Sequence, residues 1–252
     1  ANMFTMMNHE RVAVGVQGIG LSETAYQSAV AYARERTQGR SLKGPQYPDQ
    51  AADPIIVHPD VRRMLLTTRA YTEASRALAL WMALQIDVSE RHPDGATRQQ
   101  ADDLVQLLTP VVKAFCTDLG TELTNECLQV FGGAGYIADS GMEQLVRDAR
   151  IAQIYEGTNG VQANDLVGRK LSMGNGRLVE SFLENSAEFA AARADNPELA
   201  EFIDPFRTSL ARLEDVTRWL QDAAAENREE LGAASVDYCL LYTSDAADDC
   251  EG

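Results

Sequence analysis

Basic residues are scarce in this 252-residue sequence. Its 22 Lys and Arg stand against 38 Asp and Glu, a formal net charge of −16. Binding to a phosphate backbone draws on clustered cations, so this balance excludes a general nucleic-acid binder. Long apolar runs are missing too. No stretch approaches the roughly 18–20 apolar residues that span a bilayer, and no basic segment followed by an apolar run marks a secretory leader. A cytoplasmic protein without a membrane span is the expectation. Cysteine and histidine are few: Cys116, Cys127, Cys239 and Cys250 form no CxxC pair, and His9, His58 and His92 lie far apart. Neither a zinc cluster nor a disulfide framework is supported, and no metal ligands are assigned. Free thiols in a reducing compartment are the reading.

What is present is an ordinary globular composition, 45% hydrophobic and 24% charged, able to bury a sizeable core. The acidic excess is uneven. From Ser172 onward there are 18 acidic and 6 basic residues, against 20 and 16 before it. This asymmetry implies a nearly neutral body followed by an acidic C-terminal part.

Apolar residues recur at helical spacing through most of the chain. Val12, Val16, Ile19, Tyr26, Val30 and Ala33 place a stripe on one face of a helix over about Asn8–Gln38. Gly15, Gly18 and Gly20 each weaken an isolated helix by about 1 kcal/mol relative to Ala, so they imply close approach of another backbone or of a ligand. Gly39–Asp53 reads as a loop. A second helix is predicted over Pro59–Ser89, with Val61, Leu65, Leu78, Met82 and Ile86 inward, and His92-Pro93-Asp94-Gly95 is a turn. A third is predicted over Thr97–Phe131, with a kink at Pro110 or a restart with Thr109 as N-cap. Shorter helices follow over Gly141–Ala152 and Asn159–Leu171. Gly174-Asn175-Gly176 is the best boundary, and two further amphipathic helices are predicted over Arg177–Asp195 and Pro197–Ala234. No alternating pattern is long enough for a sheet. The fold class is all-α, an antiparallel helical bundle.

Three segments carry chemistry. In Ile154-Tyr155-Glu156-Gly157-Thr158-Asn159-Gly160 a carboxylate lies between an apolar run and a glycine-rich turn that opens a helix. A carboxylate so placed can act as a base near neutral pH. The same residues also read as an ordinary helix start with an acid in its first turn. Gln129-Val130-Phe131-Gly132-Gly133-Ala134-Gly135 would let a flat cofactor or a phosphate approach the backbone, or simply cap a helix. The basic cluster Arg34-Glu35-Arg36-Thr37-Gln38-Gly39-Arg40 reads as a diphosphate clamp or as cations complementing a helix C-terminus.

Taken together these segments resemble a family. Glu35-Arg36-Thr37-Gln38-Gly39-Arg40, Gln129-Val130-Phe131-Gly132-Gly133, Arg147-Asp148-Ala149-Arg150-Ile151 and Ile154-Tyr155-Glu156-Gly157-Thr158-Asn159 occur in the order and approximate spacing of acyl-CoA dehydrogenases. Residues 1–172 resemble the C-terminal helical bundle of those flavoenzymes. The run Ile55-Ile56-Val57-His58-Pro59-Asp60-Val61-Arg62-Arg63-Met64-Leu65 is similar to the branch that contains 3-methylmercaptopropionyl-CoA dehydrogenase. That branch carries an extra C-terminal helical domain, here residues 173–238.

The resemblance implies an FAD-dependent oxidoreductase of fatty acid metabolism that introduces an α,β double bond into an acyl-CoA thioester. Glu156 would be the base that removes the α-proton while the β-hydrogen leaves as hydride to the flavin. The Glu156 N–H would polarise the thioester carbonyl, and Gly157 would leave room for the thioester. Asn8 and Arg11 match substrate-contacting positions. Thr158, Asn159 and Gly160 match positions that touch FAD. Arg36, Gln38, Gln129, Gly132 and Gly133 match positions that reach the FAD diphosphate of a neighbouring subunit. A homo-oligomer, dimer or tetramer, is therefore implied, with an electron-transfer flavoprotein as acceptor. Two positions depart from the pattern: Gly39 directly follows Gln38 where many members have an aromatic residue, and Pro59 follows His58 where many have Gln. Nothing here corresponds to the family's N-terminal helical domain or middle β-domain. The chain therefore reads as part of a longer protein, inactive by itself, and residues 239–252 read as an anomalous tail. The alternative readings are an acyl-CoA oxidase on the same scaffold and a non-catalytic helical oligomerisation module.

Overall fold

The computed structural model describes residues 2–243. Three long helices dominate: α1 (Asn2–Glu35), α2 (Pro59–Arg91) and α3 (Gly95–Phe131). Seven shorter ones follow among the described residues, α4 (Gly133–Tyr136), α5 (Met142–Ala152), α6 (Asn159–Asp165), α7 (Arg177–Ala191), α8 (Ala200–Glu226), α9 (Arg228–Ala233) and α10 (Ser235–Leu241). Among the described residues the only β-type pairing is an isolated bridge between Thr37 and Pro54. The all-α reading is borne out. No described helix is long and apolar enough to cross a membrane.

Several expected boundaries move. Pro110 sits inside α3 without ending it, and Thr109 is no N-cap: it is buried and donates its hydroxyl to the Val105 carbonyl at 2.6 Å. Leu107, Val111 and Val112 on this stretch are buried. Burying an apolar side chain contributes roughly 1.5–3 kcal/mol, so a few such residues offset the roughly 3 kcal/mol an interior proline costs. Val12, Ile19 and Ala33 of the expected stripe are buried, but Val16 is half exposed; Ala25 and Ala29 are buried as well. Helix α6 gives way at Leu166–Lys170 to a wider π-type turn. The predicted Pro197–Ala234 helix is broken at Asn227, whose side chain accepts the Glu229 N–H and starts α9. Helix α10 runs on through the buried Cys239 to Leu241, and Cys250 lies outside the described residues.

The chain packs as two units. The first gathers Ala1–Val12, Trp81–Phe115 and Gly157–Gly252. In it Arg177, at the start of α7, grips the buried Asp103 of α3 through two bonds of 2.8 Å each. Leu178, Val179, Ile203, Leu213 and Leu220 bury the apolar faces of α7 and α8. The fully buried Tyr238 shares a 2.7 Å hydrogen bond with Thr217, joining α10 to α8.

The second unit gathers Ala13–Leu80 and Cys116–Glu156. Its core joins Ala25, Ala29 and Ala33 of α1, Ile55, Met64 and Leu65 before and on α2, Cys127 and Val130 of α3, and Met142 of α5. Cys116 and Cys127 are free and buried here, and burial pushes their thiols up to about 12 and about 11. The expected loop Gly39–Asp53 is organised around one carboxylate. Asp53 is fully buried and accepts the N–H groups of Ser41, Gln46 and Tyr47 and the Arg40 guanidinium. Burial by itself would raise its pKa; those donors outweigh it and hold it at about 2.

Candidate active site

Helix α5 ends at Ala152, and the chain then turns sharply through Tyr155, Glu156 and Gly157 before α6 begins. Glu156 has φ 55°, one of two non-glycine residues in the left-handed region among the described residues, and Gly157 follows at φ 84°. A non-glycine residue held there costs of order 1–3 kcal/mol. The Glu156 side chain is exposed. On one side of the turn the Tyr155 hydroxyl donates to the Gln17 side chain of α1. On the other, Thr158 caps α6 by accepting the Val161 N–H. A Cβ on Gly157 would stand 2.5 Å from Gln162 Nε2, so the fully buried Gln162 side chain packs directly under this glycine and donates to its carbonyl at 3.3 Å.

Asn159 opens α6 with its amide turned inward. Its Oδ1 accepts from Lys113 Nζ at 2.7 Å, and its Nδ2 donates to the Ala114 carbonyl at 3.3 Å. Gly160 is half-buried, and a Cβ there would meet nothing within 4 Å.

In the same unit Arg11 is buried and pairs with Asp165 at 3.2 Å, while its Nε has no hydrogen-bond partner among the described residues. Asp165 also receives both Nε and Nη2 of Arg169 at 2.6 and 2.9 Å. Lys170, almost fully buried, donates to Gln106 at 2.9 Å. Burial, aided by the neighbouring Arg169, lowers its pKa to about 8, with Asp165 opposing. Asn8 is buried on the wall of a cavity of about 280 Å³ that also touches Asp102, Gln106 and Arg169.

A second group of predicted residues collects at one end of the other unit. Tyr32, in the last turn of α1, stacks on Phe131 at the end of α3, with centroids 4.1 Å apart and planes 16° from parallel. The contact sets the basic motif beyond α1 beside the glycine run beyond α3. Arg36, Gln38, Gln129, Gly132 and Gly133 are all exposed there. Arg36 makes no ion pair among the described residues, and a Cβ at Gly132 or Gly133 would meet nothing within 4 Å. His58 Nε2 lies 2.8 Å from the Gln38 carbonyl oxygen, and its ring would stand 3.7 Å from a Cβ at Gly39, an ordinary contact distance. Gly39 has φ 66°, a left-handed conformation that favours glycine over an aromatic residue.

The model of the acyl-CoA dehydrogenase C-terminal domain matches residues 1–171. The chain belongs to the acyl-CoA dehydrogenase family. Among curated acyl-CoA dehydrogenases it is 48% identical to 3-methylmercaptopropionyl-CoA dehydrogenase of Ruegeria pomeroyi over 182 residues, 72% of this chain and 30% of that one. It is 35% identical to a butyryl-CoA dehydrogenase of Syntrophomonas wolfei over 202 residues, 80% of this chain and 33% of that one. The broad-specificity linear acyl-CoA dehydrogenase FadE5 of Mycobacterium tuberculosis matches at 34% identity over 245 residues, 96% of this chain and 39% of that one. The chain thus spans about a third of the length of these relatives. Of solved acyl-CoA dehydrogenase-like folds, Caenorhabditis elegans ACDH-11 in complex with C11-CoA superposes with a TM-score of 0.77 at 20% identity, covering 93% of this chain and 37% of that one. Butyryl-CoA dehydrogenase of Megasphaera elsdenii superposes at 0.51 with 26% identity, covering 66% and 37%.

Residues that the motifs did not single out bond to this stretch of the acyl-CoA dehydrogenase domain: Gln17 to Tyr155, Lys113 to Asn159 and Gln162 to Gly157. Lys113 left a trace in the sequence, a lone cation inside Val111-Val112-Lys113-Ala114-Phe115. The other two carry no such sign, because a glutamine on an amphipathic helix looks like surface until its neighbours are known.

Proposed function

We propose that this chain is the C-terminal part of an FAD-dependent acyl-CoA dehydrogenase that converts an acyl-CoA thioester to the 2-enoyl-CoA, with Glu156 as the base. The observation that carries this is the turn itself. An exposed carboxylate is kept in a left-handed conformation between an anchored tyrosine and a capped helix start. Strain of that kind persists where surrounding structure over-determines it, as at functional sites. Glu156 would accept the α-proton of the thioester, whose acidity rises when donors aim at the carbonyl oxygen. Gly157, open on the side away from Gln162, would let the thioester pass. The buried Arg11, through its unpartnered Nε, and Asn8 would serve the substrate side.

The exposed end of the second unit fits a diphosphate group. It combines an arginine without an ion pair, glycine backbone with open space above it, and the amides of Gln38 and Gln129. Bound FAD would supply the acceptor for the β-hydride. Arg36, Gln38, Gln129, Gly132 and Gly133 would hold the diphosphate, and Thr158 and Gly160 would approach the flavin from α6. The diphosphate residues would serve the flavin of a second copy, in a homo-oligomer. Electrons would pass to an electron-transfer flavoprotein, and the enzyme would work in the cytoplasm.

The test is Glu156→Gln in the full-length protein. Flavin stays bound, and turnover of acyl-CoA falls by about 10²–10⁴-fold, the usual worth of a positioned base. Near-normal turnover would move the base elsewhere.

A further inference from the structure

We infer that Lys113 is a positioning residue for the dehydrogenation: its buried ammonium, acting through Asn159, holds the turn that presents Glu156. The inference rests on Glu156 being the base.

Lys113 lies on α3, in a run where Val111, Val112 and Ala114 are also buried, and it is itself fully buried. A charged group taken out of water is retained only where its hydrogen bonds are well made, so its bonds have defined geometry. One of them runs 2.7 Å to Asn159 Oδ1, within the short range of charge-assisted bonds. The other end of the same amide donates to the carbonyl of the next α3 residue, Ala114, at 3.3 Å. Two consecutive residues of α3 therefore bracket one side chain, and rotating that amide breaks both bonds.

Asn159 is the first residue of α6 and follows Glu156 by three positions. Helix α6 has seven residues, too few to keep its shape by its own hydrogen bonds. The turn before it is strained at Glu156, whose φ is 55°, while Gly157 takes its φ of 84° freely. A strained turn leading into a marginal helix relaxes unless something outside the segment fixes it. The Thr158 cap and the Gln162 bond to Gly157 lie inside the segment and move with it, and the Gln17 bond to Tyr155 fixes only its start, before Glu156. Lys113 reaches it from 46 residues away on a helix buried on nearly every side. Fixing Asn159 to α3 sets where the chain leaves the turn, and so where the Glu156 carboxylate sits. Displacing a catalytic group by about 1 Å costs on the order of 10²-fold in rate.

The experiment uses the full-length, flavin-loaded enzyme with Lys113→Met, which keeps the volume of the chain and removes the ammonium. Lys113→Gln, neutral yet still an N–H donor, replaces it if the methionine variant does not fold. Hydrogen–deuterium exchange at the amides of residues 155–162 is expected to quicken. Flavin occupancy is expected to stay at the wild-type level. The expected loss in kcat is about ten- to hundredfold, with KM for the acyl-CoA within about twofold of wild type. Asn159→Ala is expected to give the same exchange pattern, and the double variant to lose no more than the worse single one. Unchanged exchange overturns the inference whatever Glu156 does. Faster exchange with wild-type kcat also overturns it. Glu156→Gln, measured in parallel, separates the two failures: if it is inactive the base reading stands without Lys113, and if it is active the base reading itself has failed.

Discussion

Gly18 of α1 and Gly120 of α3 meet backbone to backbone. A Cβ on Gly120 would lie 2.8 Å from the Gly18 Cα, and one on Gly18 would lie 2.2 Å from the Cys116 carbonyl oxygen. Neither residue has room for a side chain. The closeness has a consequence one residue away, where Gln17 bonds to the Tyr155 hydroxyl beside Glu156. The register of α1 on α3 is thereby linked to the turn that carries the carboxylate.

Gly18→Ala is expected to destabilise the protein by about 1–3 kcal/mol, the usual cost of overpacking, because the obstacle is a helix backbone that cannot swing aside. Gly20→Ala, two residues along the same helix, meets nothing within 4 Å and is exposed. There the change should stabilise by up to about 1 kcal/mol through helix propensity. Thermal unfolding of the two variants should move in opposite directions; a shared direction would mean that the helices do not touch at Gly18.

Arg36→Ala in the full-length protein should lower flavin occupancy after gel filtration more than it weakens acyl-CoA binding. The guanidinium has no ion pair among the described residues, so folding asks little of it. Full occupancy combined with a lower melting temperature would assign Arg36 to the C-terminal end of α1 instead.

Asp53 makes the 39–53 loop sensitive to acid. Its pKa drops on folding from 3.8 to about 2. The folded form therefore binds its proton less readily than the unfolded form. The stabilisation is fully present above the unfolded value and is lost as the pH falls through the folded one. Asp53→Asn should lower the melting temperature at neutral pH. The gap between variant and wild type should then close between about pH 4 and pH 2, following those two pKa values. A gap that stays constant down to pH 2 would show that the carboxylate charge contributes nothing.

Much of this protein was legible without coordinates because helical periodicity and a few spaced motifs are local properties. The stripe through α3, the turn at His92–Gly95 and the motif around Glu156 each depend on residues within a few turns of one another. The all-α class, the family and the identity of the candidate base follow from them. Boundaries were less legible where packing overrode local preference. Pro110 reads as a break, yet α3 continues because nearly every side of it is buried. Val16 reads as core by its spacing, yet it is half exposed, while Gly18 on the same helix lies against the α3 backbone.

Composition and spacing by themselves determined which residues are chemically able to act: a carboxylate in a glycine-rich turn, an arginine motif and an exposed glycine run. The tertiary structure alone decided how they are held. Lys113 meets Asn159 across 46 positions of sequence, and Gln17 meets Tyr155 across 138. No local pattern encodes such pairs, because a side chain's partner is set by which helix faces it, and that choice is made only when the helices pack.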